Sequence, residues 1–267
     1  ARRALGERRI GHTGTLDPFA SGLMLLCVGA ATRLAEFLTG MDKGYEAVVR
    51  LGVATDSGDR DGEVTRATEA WRDVTAEDVE RALSGLRGTI VQRPPSLSAK
   101  KVEGVAAHRR VRRGEAVELP PQQVTVHELR VEAFAPPELR VAVRCSSGTY
   151  VRALARDLGE ALGVGAHLTA LRRTSVGAFD LTGALAPEEL SDAGRVAAAL
   201  LSPLEAVAHL PRLDVPPPAV DDLGHGRSVE AEALADGETV VAAAAGRLVA
   251  VGAVRQGRFR PRKVFPP

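Results

Sequence analysis

Cysteine, tyrosine and tryptophan are nearly missing from this chain, which has two, two and one of them in 267 residues. Cys27 and Cys145 are far apart, and neither belongs to a Cys-x-x-Cys pair or a Cys/His cluster. That excludes a disulfide framework and a thiolate metal site, and points to structural thiols in a reducing compartment. Long apolar runs are missing too: no segment approaches the ~20 residues that span a bilayer, and the basic start ARRALGERRI has no apolar signal core. A cytoplasmic protein is expected, without membrane attachment. The sequence has no GxxxxGK[ST] phosphate loop, no HExxH, no HxE with a following CxxC, and no GxSxG elbow. No metal and no cofactor, nucleotide or other, is therefore expected. Net charge is only +1, so bulk charge does not make the chain a polyanion binder.

The remaining composition is that of a soluble globular protein, 45% hydrophobic and 26% charged, long enough for one large domain or a large and a small one. Its basic residues are localised. Arg93, Lys100, Lys101, Arg109, Arg110, Arg112 and Arg113 lie between Gln92 and Glu118, against three glutamates. From Val251 to the end there are five basic residues and no acidic one. Such patches suit a defined anionic partner, most often nucleic acid; a solvated face of an arginine-rich protein is the competing account.

Residues 11–18, GHTGTLDP, are poor helix or strand interior. Gly11 and Gly14 permit unusual backbone angles, and Pro18 pushes Asp17 out of the α region. Taken alone the stretch reads as a surface turn. Farther on, GLMLLCVGAATRLAEFL (Gly22–Leu38) starts as an apolar run and becomes helical in period, YEAVVRLGV (Tyr45–Val53) reads as a strand, and Thr75 caps a helix to about Leu83. ELRVAVRC (Glu138–Cys145) alternates, with Leu139, Val141, Val143 and Cys145 on one face. It breaks at SSGTY, after which VRALARDLGEALG reads as an amphipathic helix with Val151, Leu154, Leu158 and Leu162 inward. Tyr150 and Arg152 thus fall where a strand gives way to a helix, a place that exposes backbone N–H groups. SPLE (Ser202–Glu205) is a capping box, DVPPP (Asp214–Pro218) reads as a linker, and two short strands are expected across a turn near Gly246. Both tyrosines, Tyr45 and Tyr150, fall beside polar segments. Each fits either a structural role or a stacking face with a hydroxyl for a flat ligand.

GHTGTLDPFASGLMLLCVGAATRL resembles the catalytic signature of the TruB family of tRNA pseudouridine synthases. Agreement continues in DKGYEAVVRLGVATDSGDRDGEV and CSSGTYVRALARDLGEALGVGAHLTALRRTSVGAF, and the C-terminal piece is similar to a PUA domain. The resemblance implies an α+β pseudouridine-synthase fold: a mixed, mostly antiparallel central sheet flanked by helices, then a small β barrel. It divides the chain into a catalytic domain over 1–210, with a basic RNA-clamping insertion at about 92–118, and a PUA-like RNA-binding domain over 213–267. Two departures stand out. The family normally opens with a strand ahead of the helix to which ARRALG belongs, so that strand and some RNA contacts are expected to be missing here. After the double proline the family often has a tyrosine, where this chain has Leu97.

What the resemblance implies chemically is isomerisation of one uridine in the TΨC arm of tRNA, by a monomer without a cofactor. Asp17 would be the essential carboxylate, kept in its nucleophilic ionised form by Arg152. The target must leave its stack before Asp17 can reach it. His12 would fill the vacated space, Tyr45 would stack on the uracil, Tyr150 would hydrogen-bond near the Asp17–Arg152 pair, and Leu171 would pack under the base. Lys43, Arg109, Arg110, Arg172, Arg173 and the tail around Arg258–Lys263 would hold the RNA, through phosphate contacts that position without specifying. Two other classes remain: a tRNA-binding or folding factor without catalysis, for which Asp17 would be superfluous, and a glycoside-cleaving hydrolase, which usually pairs two carboxylates.

Overall fold

In KGYEAVVRL every second side chain, from Tyr45 through Ala47 and Val49 to Leu51, is buried. This period of two makes a central strand that the rest of its unit is built around. In a computed structural model, which describes residues 1–95 and 119–265 together with the backbone of two short strands at 101–102 and 105–106, the chain forms two compact units. One comprises Gly14–Met24 and Gly40–Thr182; the other comprises Ala1–Thr13, Leu25–Thr39 and Gly183–Pro267.

The first of these holds a seven-stranded sheet. Its strands are β1 (Ser21–Gly22), β2 (Lys43–Leu51), β3 (Gly88–Gln92), β4 (Gln122–Ala135), β5 (Glu138–Cys145), β6 (Ala166–Val176) and β7 (Phe179–Asp180). The order is β7-β6-β2-β5-β4-β3, all antiparallel, and β1 adds in parallel to β6. Two helices pack on it: α1 (Ala76–Ser84), opened by a Thr75–Asp78 capping box, and α2 (Val151–Ala161). Val79 and Leu83 of α1 and Val151, Leu154 and Leu158 of α2 share one core with Val49, Leu139 and Val143 of the sheet. Each such side chain contributes about 1.5–3 kcal/mol by leaving water. Gly159 lets α2 lie against the start of β6, since a Cβ there would stand 2.2 Å from Ala166 N.

In the other unit, strands β8 (Arg212–Asp214), β9 (Val229–Glu230), β10 (Thr239–Ala244), β11 (Arg247–Arg255) and β12 (Arg258–Val264) form a five-stranded sheet in the order β8-β10-β11-β12-β9. Leu223, Val240, Val254 and Phe259 fill its core. The segment Leu25–Thr39 belongs to the same unit: Arg33 donates to Val264 O at 2.6 Å, and Lys263 donates to Arg33 O at 2.7 Å. Ile10–His12 pairs with Leu26–Val28 in a small antiparallel ladder.

The strand Glu138–Cys145, the helix from Val151 and the Ser202–Glu205 capping box stand where the sequence places them. The coarse expectation of a mixed, largely antiparallel α+β fold also holds. DVPPP does not form a plain linker. Residues 212–214 are β8, and Pro217 opens a helix to Gly224, because proline at a first helical position forfeits only an N–H that has no partner there. Leu97 and most of the basic insertion lie outside the described residues.

Candidate active site

The Asp17 loop is tied down through its main chain. Asp17 O accepts from Ala20 N at 2.9 Å, closing the DPFA turn. Downstream, Leu23 N donates to Arg173 O at 2.8 Å, while Ser21 and Gly22 lie in register with Arg172 and Arg173. The Arg173 side chain completes the anchorage: Nε donates to Leu23 O at 2.7 Å and Nη2 to Gly14 O at 3.1 Å. One guanidinium thereby holds both ends of the loop that carries Asp17.

Arg152 meets this loop from the second residue of α2. Its Nε and Nη2 donate to Asp17 Oδ2 and Oδ1, both at 2.9 Å, a two-pronged geometry that fixes the carboxylate plane. Nη1 donates to Ser57 O at 2.8 Å and stands 3.4 Å from Asp59 Oδ2. The Arg152 side chain is 4% exposed and Asp59 8%, whereas Asp17 keeps 31% of its side-chain surface open. The cation is therefore buried between two acids, of which only Asp17 opens to solvent. Asp59 is itself held: its Oδ1 accepts from Ser57 Oγ at 2.7 Å and from Asp61 N at 3.1 Å.

Tyr45 lies opposite Arg173 across β2 and β6, and its hydroxyl interacts with that guanidinium. Burial pushes the phenol up to about 12, so it stays neutral near pH 7. With 9% of its surface exposed, Tyr45 is a wall of the site rather than an open platform. Leu171, opposite Ala47, is buried in the same core, against which Phe19 and Ala20 of the Asp17 loop also pack. Tyr150 is half-buried at the N-cap of α2. Its main chain is bonded, but its hydroxyl has no hydrogen-bond partner among the described residues.

Two expected RNA contacts move to the interior. Arg173 is 2% exposed and Lys43 8%, so no phosphate reaches either from solvent. Lys43 donates to Met41 O at 2.7 Å, and burial, reinforced by the positive charge of Arg173, lowers its ammonium pKa. Arg172, on the opposite face of β6, is exposed. Arg109 and Arg110 lie outside the described residues. His12 is exposed on the Ile10–His12 strand, in the unit that also holds the five-stranded sheet.

Residues 2–151 match the TruB family pseudouridylate synthase N-terminal domain, and residues 152–208 match the tRNA pseudouridylate synthase B C-terminal domain. This chain belongs to the TruB family. The tRNA pseudouridine synthase B of Azoarcus sp. is 42% identical over 267 residues, covering 99% of this chain and 88% of that protein. The enzyme of the same name from Mycolicibacterium paratuberculosis is 44% identical over 254 residues, covering 94% and 85%. Among solved structures, an H/ACA RNP bound to a substrate RNA containing 2′-deoxyuridine aligns with a TM-score of 0.76 at 23% identity, over 100% of this chain and 79% of that one. A Cbf5-Nop10-Gar1 complex aligns with a TM-score of 0.76 at 24% identity, over 99% and 78%. At that identity the likeness shows the fold.

Within the TruB signature, the sequence did not single out Asp59 and Ser57. TDSGDRDGE reads as a polar turn, and its acids look like solvated loop charges. The available signal was a second carboxylate in a chain that buries an arginine, since a buried cation needs a partner.

Proposed function

We propose that this chain isomerises a uridine in the TΨC arm of tRNA to pseudouridine, with Asp17 as the essential carboxylate. The observation that carries the reading is the Asp17 carboxylate, open to solvent and gripped by the buried guanidinium of Arg152. Such a pair serves no packing purpose that an apolar residue would not serve as well. It suits an acid that must meet a sugar or base carbon in a fixed orientation. Arg152 orients Asp17, and Asp59 in turn orients Arg152. The N1–C1′ bond breaks, the detached uracil turns, C5 joins C1′ and gives up its proton, and N1 gains one, so atoms balance without a redox partner or group donor. Tyr45, neutral and held beside Arg173, contacts the uracil; Leu171 supports it from the core side. Tyr150 borders the Asp17–Arg152 pair, and His12 takes the place of the extruded nucleotide.

RNA docking falls to exposed cations. Arg172 and, on the C-terminal sheet, Arg258, Arg260 and Arg262 are exposed. We read residues 1–210 as the catalytic domain, 213–267 as a PUA-like RNA-binding domain, and the insertion at 92–118, with Arg109 and Arg110, as an RNA clamp. The test is incubation with an unmodified tRNA transcript followed by chemical mapping of pseudouridine. Asp17→Asn should abolish product while tRNA affinity stays within about twofold. Product from that variant would remove Asp17 from its role, and free uracil would indicate a hydrolase.

A further inference from the structure

Gln92 ends β3 with a fully buried side chain that none of the chemistry above uses. A buried amide is costly unless its donors and acceptor are satisfied. Here both ends of the amide engage a single residue. Its Oε1 accepts from Tyr150 N at 2.8 Å, and its Nε2 donates to Tyr150 O at 3.1 Å. The side chain does for Tyr150 what the main chain of a neighbouring strand would do, at a point where no strand continues.

Tyr150 is the N-cap of α2 and makes no side-chain capping bond. Its carbonyl is also the first acceptor of the helix, taking Ala153 N at 3.1 Å and Leu154 N at 3.2 Å. The Gln92 amide therefore sets where the first turn of α2 starts. Arg152, two residues on, projects from that turn to Asp17. A shift of the Tyr150 peptide moves the guanidinium with it, and Ser57 O and Asp59 lie on a different loop that does not follow.

We propose that Gln92 is a positioning residue for the reaction: its amide fixes the strand-to-helix junction so that Arg152 meets Asp17 in register. This rests on the functional reading above for its kinetic consequence, and on the structure alone for its geometric one. Gln122 supplies an internal comparison, because it donates to Gly148 O at 2.7 Å in the same loop.

The experiment uses the full chain and two readouts. Single-turnover conversion of an unmodified tRNA transcript should slow by about 10–100-fold in Gln92→Leu, since misplacement by about 1 Å costs that order. tRNA affinity should stay within about twofold. Gln92→Glu keeps the shape but loses the donor to Tyr150 O, so it should slow likewise and serves if the leucine variant unfolds. Combining Gln92→Leu with Arg152→Lys should cost no more than Arg152→Lys alone, because the glutamine acts through the arginine. Gln122→Ala should keep the wild-type rate. The second readout is the NMR signal of the Arg152 Nε–H, identified by its loss in Arg152→Lys: it should be protected from exchange in the wild type and unprotected in Gln92→Leu. A wild-type rate in both Gln92 variants, additive losses in the double variant, an equal loss in Gln122→Ala, or an unchanged Arg152 signal would each overturn the proposal. Wild-type protein that makes no pseudouridine would sink the functional reading instead, with the NMR comparison still deciding the role of Gln92.

Discussion

Replacing Gly22 by alanine puts one methyl group where β1 meets β6. Gly22 has φ +102, and a Cβ there would stand 2.2 Å from Arg173 O and 2.7 Å from Arg173 N, against an ordinary contact of 3.4 Å or more. The two strands must part by roughly 1 Å, or the backbone must leave its left-handed conformation. Alanine at positive φ costs about 1–2 kcal/mol. The Leu23 N to Arg173 O bond, 2.8 Å long, lies beside the clash and contributes about 1 kcal/mol. The expected destabilisation is about 2–3 kcal/mol, or a fall of roughly 5–10 °C in melting midpoint for a chain of this size. Because β1 closes the Asp17 loop, the single-turnover rate should also fall, by up to ~100-fold for a displacement near 1 Å. Calorimetry and a quenched time course on the tRNA transcript measure the two effects. Gly163→Ala is the control: φ is +72 there but nothing lies within 4 Å, so it should show the backbone cost alone and the wild-type rate. A Gly22→Ala protein that melts and reacts like wild type would refute the claim that close approach at β1 holds the Asp17 loop.

The neighbouring arginines of β6 should separate cleanly. Arg172→Ala should weaken tRNA binding and flatten its salt dependence by about one phosphate contact with little change in melting, whereas Arg173→Met, which strands the carbonyls of Gly14 and Leu23, should cost about 2–4 kcal/mol of stability. A salt titration of tRNA binding and a melting curve tell them apart. Tyr45 should titrate near 12 by absorbance at high pH, and that component should vanish in Tyr45→Phe. Since the folded pKa lies above the unfolded value of 10, the folded state holds its proton longer, and stability should fall by about 3 kcal/mol as pH rises from roughly 10 to 12. Tyr45→Phe should escape that loss; equal alkaline sensitivity of the two proteins would show that the phenol is not buried.

Local pattern carried much of this fold. Strict alternation gave the strand at 138–145, the apolar period gave the helix at 151–161, and Thr75 gave the start of α1. The meeting of Asp17 with Arg152, 135 positions later, came from the family signature, because period and propensity say nothing about which loop faces which helix. Arg172 and Arg173 show what a single pattern can hide. Side by side they read as one basic patch, yet on a strand neighbouring side chains point to opposite faces, so one reaches solvent and the other the interior. Asp59 escaped notice for a related reason: a turn-rich acidic run looks solvated until a cation is found beneath it.

Arg173 reads only carbonyl oxygens at Gly14 and Leu23, and carbonyls are the same in every amino acid. Shape at the Asp17 turn is thus encoded largely from outside it, leaving the exposed side chain at position 15 free to drift without unmooring the acid nearby. For anyone redesigning this loop, that letter is the one to randomise, and the arginine is the one to leave alone.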